Sequence, residues 1–404
     1  MDFERTLAPV IKKISREFPV LLLTGMRQTG KTFLLKKVKE PKRKYVSLDF
    51  PDERELAKNQ PDLFLQRHKP PILIDEVQYA PELFPYIKIY ADSHREDGLF
   101  WLTGSQKFSL MKGIQESLAG RVAILDILGL SYREMTGNAR SRPFIPTNKI
   151  QPQSGFKSLK LLDLYKIIWA GSFPRLAAQG AKNRDVFYRS YLKTFIERDI
   201  KNYQGINDDI RFYKFIRSAA VRSGNLLNYA DLARDADIDV RTAKNWLSAL
   251  ERSGLVKLLY PYHVNITKRL IKTPKLYFMD TGLIAFLCGF DTPKSLEAGY
   301  MTGAILETWA FIEIIKSYWH NGKDPLIYYY RDTDQREIDF VIEQNMTLYP
   351  IEVKKTSAPK PDNVKHFNLL KKLKKPVGPG ALLCLRPSPL PLNEQVNALP
   401  IWEI

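Results

Sequence analysis

The chain is poor in cysteine: Cys288 and Cys384 are the only two in 404 residues. Their spacing fits neither a disulfide framework nor a thiolate metal site, so both read as small buried residues in a reducing compartment. Long apolar runs are also missing, since no stretch reaches the roughly 18 residues that a membrane-spanning helix needs. The first residues, Met1-Asp-Phe-Glu-Arg5, carry acids where an export signal would be basic and then apolar. A soluble cytoplasmic protein without a membrane partner is expected. Acidic residues are in short supply, 44 against 62 Lys and Arg, for a net charge of +18. The excess is uneven, at +6 over residues 1–145, +11 over 146–270 and +1 over 271–404. A polyanion is therefore expected to meet the middle of the chain. No repeat with a period of roughly 20–50 residues is present, and the length suits about two to four compact units.

Against these absences stands one strong motif. The apolar run Pro19-Val-Leu-Leu-Leu23 leads into Gly25, Met26, Arg27, Gln28, Thr29, Gly30, Lys31 and Thr32. A strand feeding a G-x-x-x-x-G-K-[ST] loop into a helix is a phosphate-binding loop. Its glycines let successive N–H groups aim at phosphate oxygens, Lys31 reaches the outer phosphates, and Thr32 holds Mg²⁺. ATP and Mg²⁺ are the expected cofactors. A second motif, Pro71-Ile-Leu-Ile-Asp-Glu-Val-Gln78, reads as a short buried strand delivering two acids. Asp75 is placed to hold the metal, and Glu76 to orient and deprotonate the attacking water. A third strand, Leu99 to Gln106, ends in Ser105 and Gln106, either of which is positioned to sense the γ-phosphate.

The Pro-rich stretch from Arg142 to Gly155 reads as a connection after a last strand at Arg121–Leu128, and a helical pattern follows from about residue 159 to 222. Tyr229–Asp235, a turn with Asp239 as N-cap, and a helix from Val240 to Ser253 form a helix-turn-helix pattern. In that second helix Ala243, Trp246, Leu247 and Leu250 make the buried stripe, which leaves Arg241, Lys244, Asn245 and Ser248 outward, suited to phosphates and base edges. Two short strands, Leu255–Tyr262 and Lys275–Phe278, would pair as a wing. Expected divisions are a P-loop sheet domain at 1–145, a helical region at 146–208, a winged helix at 209–278 and a C-terminal α/β domain at 279–404.

The last part carries a second constellation. Glu307 lies on a helix, Asp339 on a strand inside an apolar run, and Glu352 and Lys354 two apart on the next strand, hence on one face. Such a D…E-x-K pattern belongs to restriction-endonuclease-like folds, with Glu307, Asp339 and Glu352 expected to hold Mg²⁺ and Lys354 to activate water.

Taken together, Gly25–Thr32, Leu73–Gln78, Leu102–Gln106, Ser117–Arg121, Gly171–Arg175, Tyr191–Asp199 and Ile338-Asp-Phe with Ile351–Lys354 resemble a prokaryotic family of AAA-type ATPases with a C-terminal domain of unknown function. The resemblance spans nearly the whole chain. It implies nucleotide roles for Lys31, Thr32, Asp75 and Glu76, and makes Arg121 the best candidate for an arginine finger, which in turn implies a homo-oligomer. Two function classes remain. In one, ATP turnover acts on nucleic acid, DNA foremost, that the basic middle grips and the nuclease-like end cuts or holds. In the other, the ATPase is a regulatory switch whose remaining modules bind protein partners.

Overall fold

The structure is a computed structural model and describes residues 2–104, 114, 117–139, 142–149, 158–200, 208–265 and 272–404. Its first module is built on five parallel strands: β1 (Val20–Thr24), β2 (Lys44–Ser47), β3 (Ile72–Asp75), β4 (Phe100–Gly104) and β5 (Val122–Asp126), in the order β2-β3-β4-β1-β5. Both faces of the central strands are covered, which is why those strands read as unbroken apolar runs. Val20, Leu22, Ile72, Ile74 and Phe100 enter one core, while Leu21, Leu23, Leu73 and Trp101 enter the other. At roughly 1.5–3 kcal/mol for each fully buried large apolar side chain, against about 1 kcal/mol for a net ladder hydrogen bond, the two apolar faces hold the sheet.

The middle module is helical. Leu161–Ala170, Arg184–Phe195 and Asp209–Val221 precede the pair Tyr229–Ala236 and Val240–Arg252. Asn228 caps the first helix of that pair, and Asp239 caps the second by accepting the Thr242 N–H at 2.9 Å. The turn between them runs through Asp237, which is left-handed at φ +55°. Strands β6 (Val256–Leu259) and β7 (Lys275–Phe278) then pair antiparallel, with Leu259 opposite Lys275. Helices Thr281–Leu287 and Pro293–Ala298 return to pack on Leu161–Ala170. Both helices also touch the long helix Thr302–Trp319 that follows.

The C-terminal module opens with the long helix Thr302–Trp319 and continues into β8 (Ile327–Arg331), β9 (Glu337–Gln344), β10 (Thr347–Val353), β11 (Gly380–Cys384), β12 (Leu390–Asn393) and β13 (Val396–Pro400). Their order is β12-β13-β11-β10-β9-β8, with β10–β11 and β11–β13 parallel and the remaining pairs antiparallel. A single apolar core runs from the middle helices through Thr302–Trp319 onto one face of this sheet. The long helix also bonds to the first module: Glu313 accepts the Tyr132 N–H at 2.8 Å, and Lys316 Nζ donates to Leu130 O at 2.8 Å. Among the described residues no helix is long and apolar enough to cross a membrane.

Candidate functional site

The loop between β1 and the helix Lys31–Val38 has the geometry its glycines require. Gly25 sits at φ +147°, and a Cβ there would stand 2.1 Å from the Ile127 carbonyl oxygen. Gly30, at φ +91°, caps the helix, so the N–H groups of its first turn point toward the loop hollow. Lys31 is buried, its Nζ donating at 2.9 Å to the carbonyls of both Gly25 and Met26. Thr29 Oγ1 ties the turn by donating to Met26 O at 2.9 Å.

Across the hollow, Asp75 ends β3 and is 5% exposed. Its Oδ1 accepts from Thr32 Oγ1 at 2.7 Å and from Thr103 Oγ1 on β4, and its Oδ2 accepts from Tyr45 at 3.0 Å. Burial, followed by the charge of Asp75, pushes the Tyr45 phenol up to about 12, so it remains a donor. The Thr32 hydroxyl and the Asp75 carboxylate are hard oxygen donors of the kind that could hold a Mg²⁺ ion. Glu76, next in the chain, adopts φ +57° and ψ +44°, a conformation a non-glycine residue holds only at a cost of about 1 kcal/mol or more. That turn lets its carboxylate accept from the Gln78 amide, while its own N–H donates to Thr103 Oγ1 at 3.3 Å. Strand β4 lies between β1 and β3, the position expected of the third strand. Ser105 and Gln106 lie outside the described residues.

Sequence reasoning missed the wall beside the loop. A cavity of about 270 Å³ abuts Gly30 and is lined by Phe3, Arg5, Phe33, Leu34, Pro174 and Arg175. Apolar walls next to a phosphate loop fit the ring of a nucleotide base. Segments far apart in sequence meet there, and neither spacing nor periodicity marks them. Arg121 lies elsewhere. Its carbonyl accepts the Val20 N–H, at the amino end of the sheet, whereas the phosphate loop leaves the carboxyl end. Its guanidinium holds Asp92 in a two-pronged contact at 2.5 and 2.9 Å. Arg121 therefore does not face the loop of its own chain.

On the helix Val240–Arg252, Ala243, Trp246, Leu247 and Leu250 are buried, Arg241, Lys244 and Asn245 are exposed, and Ser248 is half-buried. Lys244 Nζ lies 5.5 Å from the centre of the Tyr229 ring.

In the C-terminal module, Asp339 and Glu352 are neighbours across β9 and β10 and both are buried. The Asp339 N–H donates to Glu352 Oε2 at 3.4 Å, Asp339 Oδ2 accepts the Val353 N–H at 2.8 Å, and Lys354 Nζ is 2.7 Å from Glu352 Oε1. Burial first, then the charge of Glu352, raises the Asp339 carboxyl to about 7, and burial with the charge of Asp339 raises Glu307 to about 7. Glu307 Oε1 is engaged by Lys275 at 3.0 Å and by Tyr277 at 2.5 Å, and among the described residues no group of three or more His, Cys, Asp or Glu side chains is arranged to hold a metal ion.

The parallel sheet, the phosphate loop and the paired Thr32 and Asp75 define an AAA-type P-loop ATPase domain, and an AAA domain family matches residues 17–136. Two families described as domains of unknown function, DUF8612 and DUF4143, match residues 161–294 and 302–404. Over 357 residues the chain is 30% identical to the uncharacterized protein Rv2008c of Mycobacterium tuberculosis, covering 88% of this chain and 74% of that one. The chain belongs to the same family as that protein. It is also 22% identical over 363 residues to the uncharacterized protein MJ1544 of Methanocaldococcus jannaschii, covering 83% and 76%. Among solved structures it is similar to the Thermotoga maritima RuvB Holliday junction branch migration motor, at 14% identity and a TM-score of 0.29, covering 63% of this chain and 89% of that one.

Proposed function

We propose that the protein is a Mg²⁺-dependent ATPase of the cytoplasm that acts on nucleic acid, DNA foremost. The observation that carries this reading is the convergence of Lys31, Thr32, Asp75 and Glu76 on one hollow, with Thr32 and Asp75 already 2.7 Å apart. Lys31 and the loop N–H groups bind the phosphates, Thr32 and Asp75 hold the metal, and Glu76 takes the proton of the attacking water. When bound, Mg²⁺ neutralises the charge that develops on the transferred phosphoryl group. Arg121, turned away from its own loop, completes the site of a neighbouring copy in a homo-oligomer.

The partner is read from the +11 balance of residues 146–270 and from Arg241, Lys244 and Asn245, which stand exposed on the second helix of a capped helix-turn-helix, followed by a hairpin in the order of a winged helix. The C-terminal module is nuclease-like in the relation of Asp339, Glu352 and Lys354, and it holds the phosphodiester backbone. The test is ATP hydrolysis with and without duplex or branched DNA across a salt series. Stimulation that fades as salt rises is expected from phosphate contacts. No stimulation by any nucleic acid would favour a switch that binds protein partners instead.

A further inference from the structure

Lys275 begins strand β7 of the middle module, yet its side chain enters the C-terminal one. It is 4% exposed, and its Nζ lies 3.0 Å from Glu307 Oε1 and 2.5 Å from Glu337 Oε1, with the Tyr329 ring centre at 5.7 Å. Tyr277 is two residues further along the same strand and therefore on the same face. Its hydroxyl donates to the same Glu307 oxygen at 2.5 Å. Taking an ammonium out of water costs several kcal/mol unless opposite charges surround it, and here two carboxylates do so. The consequence reaches the D…E-x-K residues. Glu307 is the helix-borne acid that would join Asp339 and Glu352 around a divalent ion, and Lys275 already draws on it.

We propose that Lys275 is a resident cation that takes the place of a divalent ion, so that the C-terminal module binds no Mg²⁺ or Mn²⁺ of its own while the β6–β7 hairpin is docked. The inference rests on the nuclease-like reading of Asp339, Glu352 and Lys354, and adds to it a residue supplied by another module. Metal entry then requires Lys275 to leave, which links the hairpin beside the helix-turn-helix to the state of the C-terminal acids.

The probe is Mn²⁺, counted by electron paramagnetic resonance on the nucleotide-free full chain carrying Asp75→Asn, which silences the metal position beside the phosphate loop. That chain is expected to bind no Mn²⁺ that Asp339→Asn removes. Adding Lys275→Met should create one Mn²⁺ site per chain, at least about tenfold tighter than any background binding, and adding Asp339→Asn to that variant should abolish it. Lys275→Met with Glu337→Gln removes one charge of each sign and serves if the single change lowers the melting temperature too far. A stoichiometric Mn²⁺ site in the Asp75→Asn chain that Asp339→Asn abolishes would overturn the proposal, as would a folded Lys275→Met chain that gains none. Incubating the same proteins with plasmid DNA separates the two readings. Mn²⁺ bound on loss of Lys275 without cleavage counts against a nuclease and leaves the resident cation standing.

Discussion

The Glu134 carboxylate lies 3.3 Å from the His320 ring Nδ1, across the seam between the P-loop module and the end of the long C-terminal helix. The same oxygen contacts Arg5 Nε at 3.2 Å, and Arg5 in turn donates to the carbonyl of Thr29 inside the phosphate loop at 3.1 Å. Burial opposes the charge on Glu134, but His320 and Arg5 outweigh it and hold the carboxyl well below the usual range. Burial also pushes the His320 imidazole below its ordinary value. Removing one member of a buried charged set typically costs about 3–5 kcal/mol. Glu134→Gln is therefore expected to destabilise the chain by that order in denaturant unfolding.

Both groups have a folded pKa below the unfolded one, so the stability they contribute is present at high pH and lost as pH falls. For His320 the loss starts as pH drops through the ordinary value of 6.5. Thermal melts should show a falling midpoint from pH 7.5 to 5.5, and His320→Gln should flatten that slope.

Asp339 behaves with the opposite sign. Its folded value is raised, from 3.8 to about 7, so the fold favours the protonated form and loses stability as pH climbs between the two. Asp339→Asn should raise the melting temperature by a few degrees at pH 8 and by less at pH 5. An equal shift at both values would count against a strained carboxylate.

At the nucleotide site, Lys31→Ala should abolish tight ATP binding, while Glu76→Gln should keep binding and lower turnover by about a hundredfold or more. Turnover at the parent rate in Glu76→Gln would assign the base elsewhere.

Arg121 and Asp92 form an exposed pair, and solvent screens such pairs so that they hold little, so a passing phosphate can take the arginine. Mixing Arg121→Ala with Lys31→Ala subunits should restore part of the ATPase activity. Absence of rescue in verified mixed oligomers would remove the finger.

Replacing Arg241 and Lys244 by Glu should weaken DNA binding by about two orders of magnitude or more at low salt and flatten the salt dependence. ATP affinity should stay unchanged.

The parts legible in the sequence are those carried by short-range pattern. Gly25 to Thr32 and Asp75-Glu76 were readable because the chemistry of phosphate binding fixes residue types at fixed spacing. The buried stripe of Val240–Arg252 was readable from its 3.6-residue period. Residues brought together by topology were not readable. Arg5 reaches Thr29 and Glu134 only after the chain has folded, and Arg175 and Phe3 come to line one cavity beside the phosphate loop only then. Lys275 looked like an ordinary strand residue, because nothing local indicates that an ammonium will be buried between Glu307 and Glu337. That Thr281–Leu287 and Pro293–Ala298 pack mainly on Leu161–Ala170 was not readable, since an amphipathic helix does not say which neighbour its apolar face will meet.

Met26 belongs to the phosphate loop by sequence and to the core of the middle module by packing, buried together with Leu250 and Leu255. Gly254, just past the outward-facing helix Val240–Arg252, lies beside it, and a Cβ there would sit at ordinary contact distance, 3.8 Å from Met26 Cγ. Loop and helix thus share one bearing surface. Interiors are close-packed, so a change of volume at Met26 is felt on both sides of that contact. A smaller side chain at Met26 is therefore expected to loosen the phosphate loop from the end of the helix Val240–Arg252.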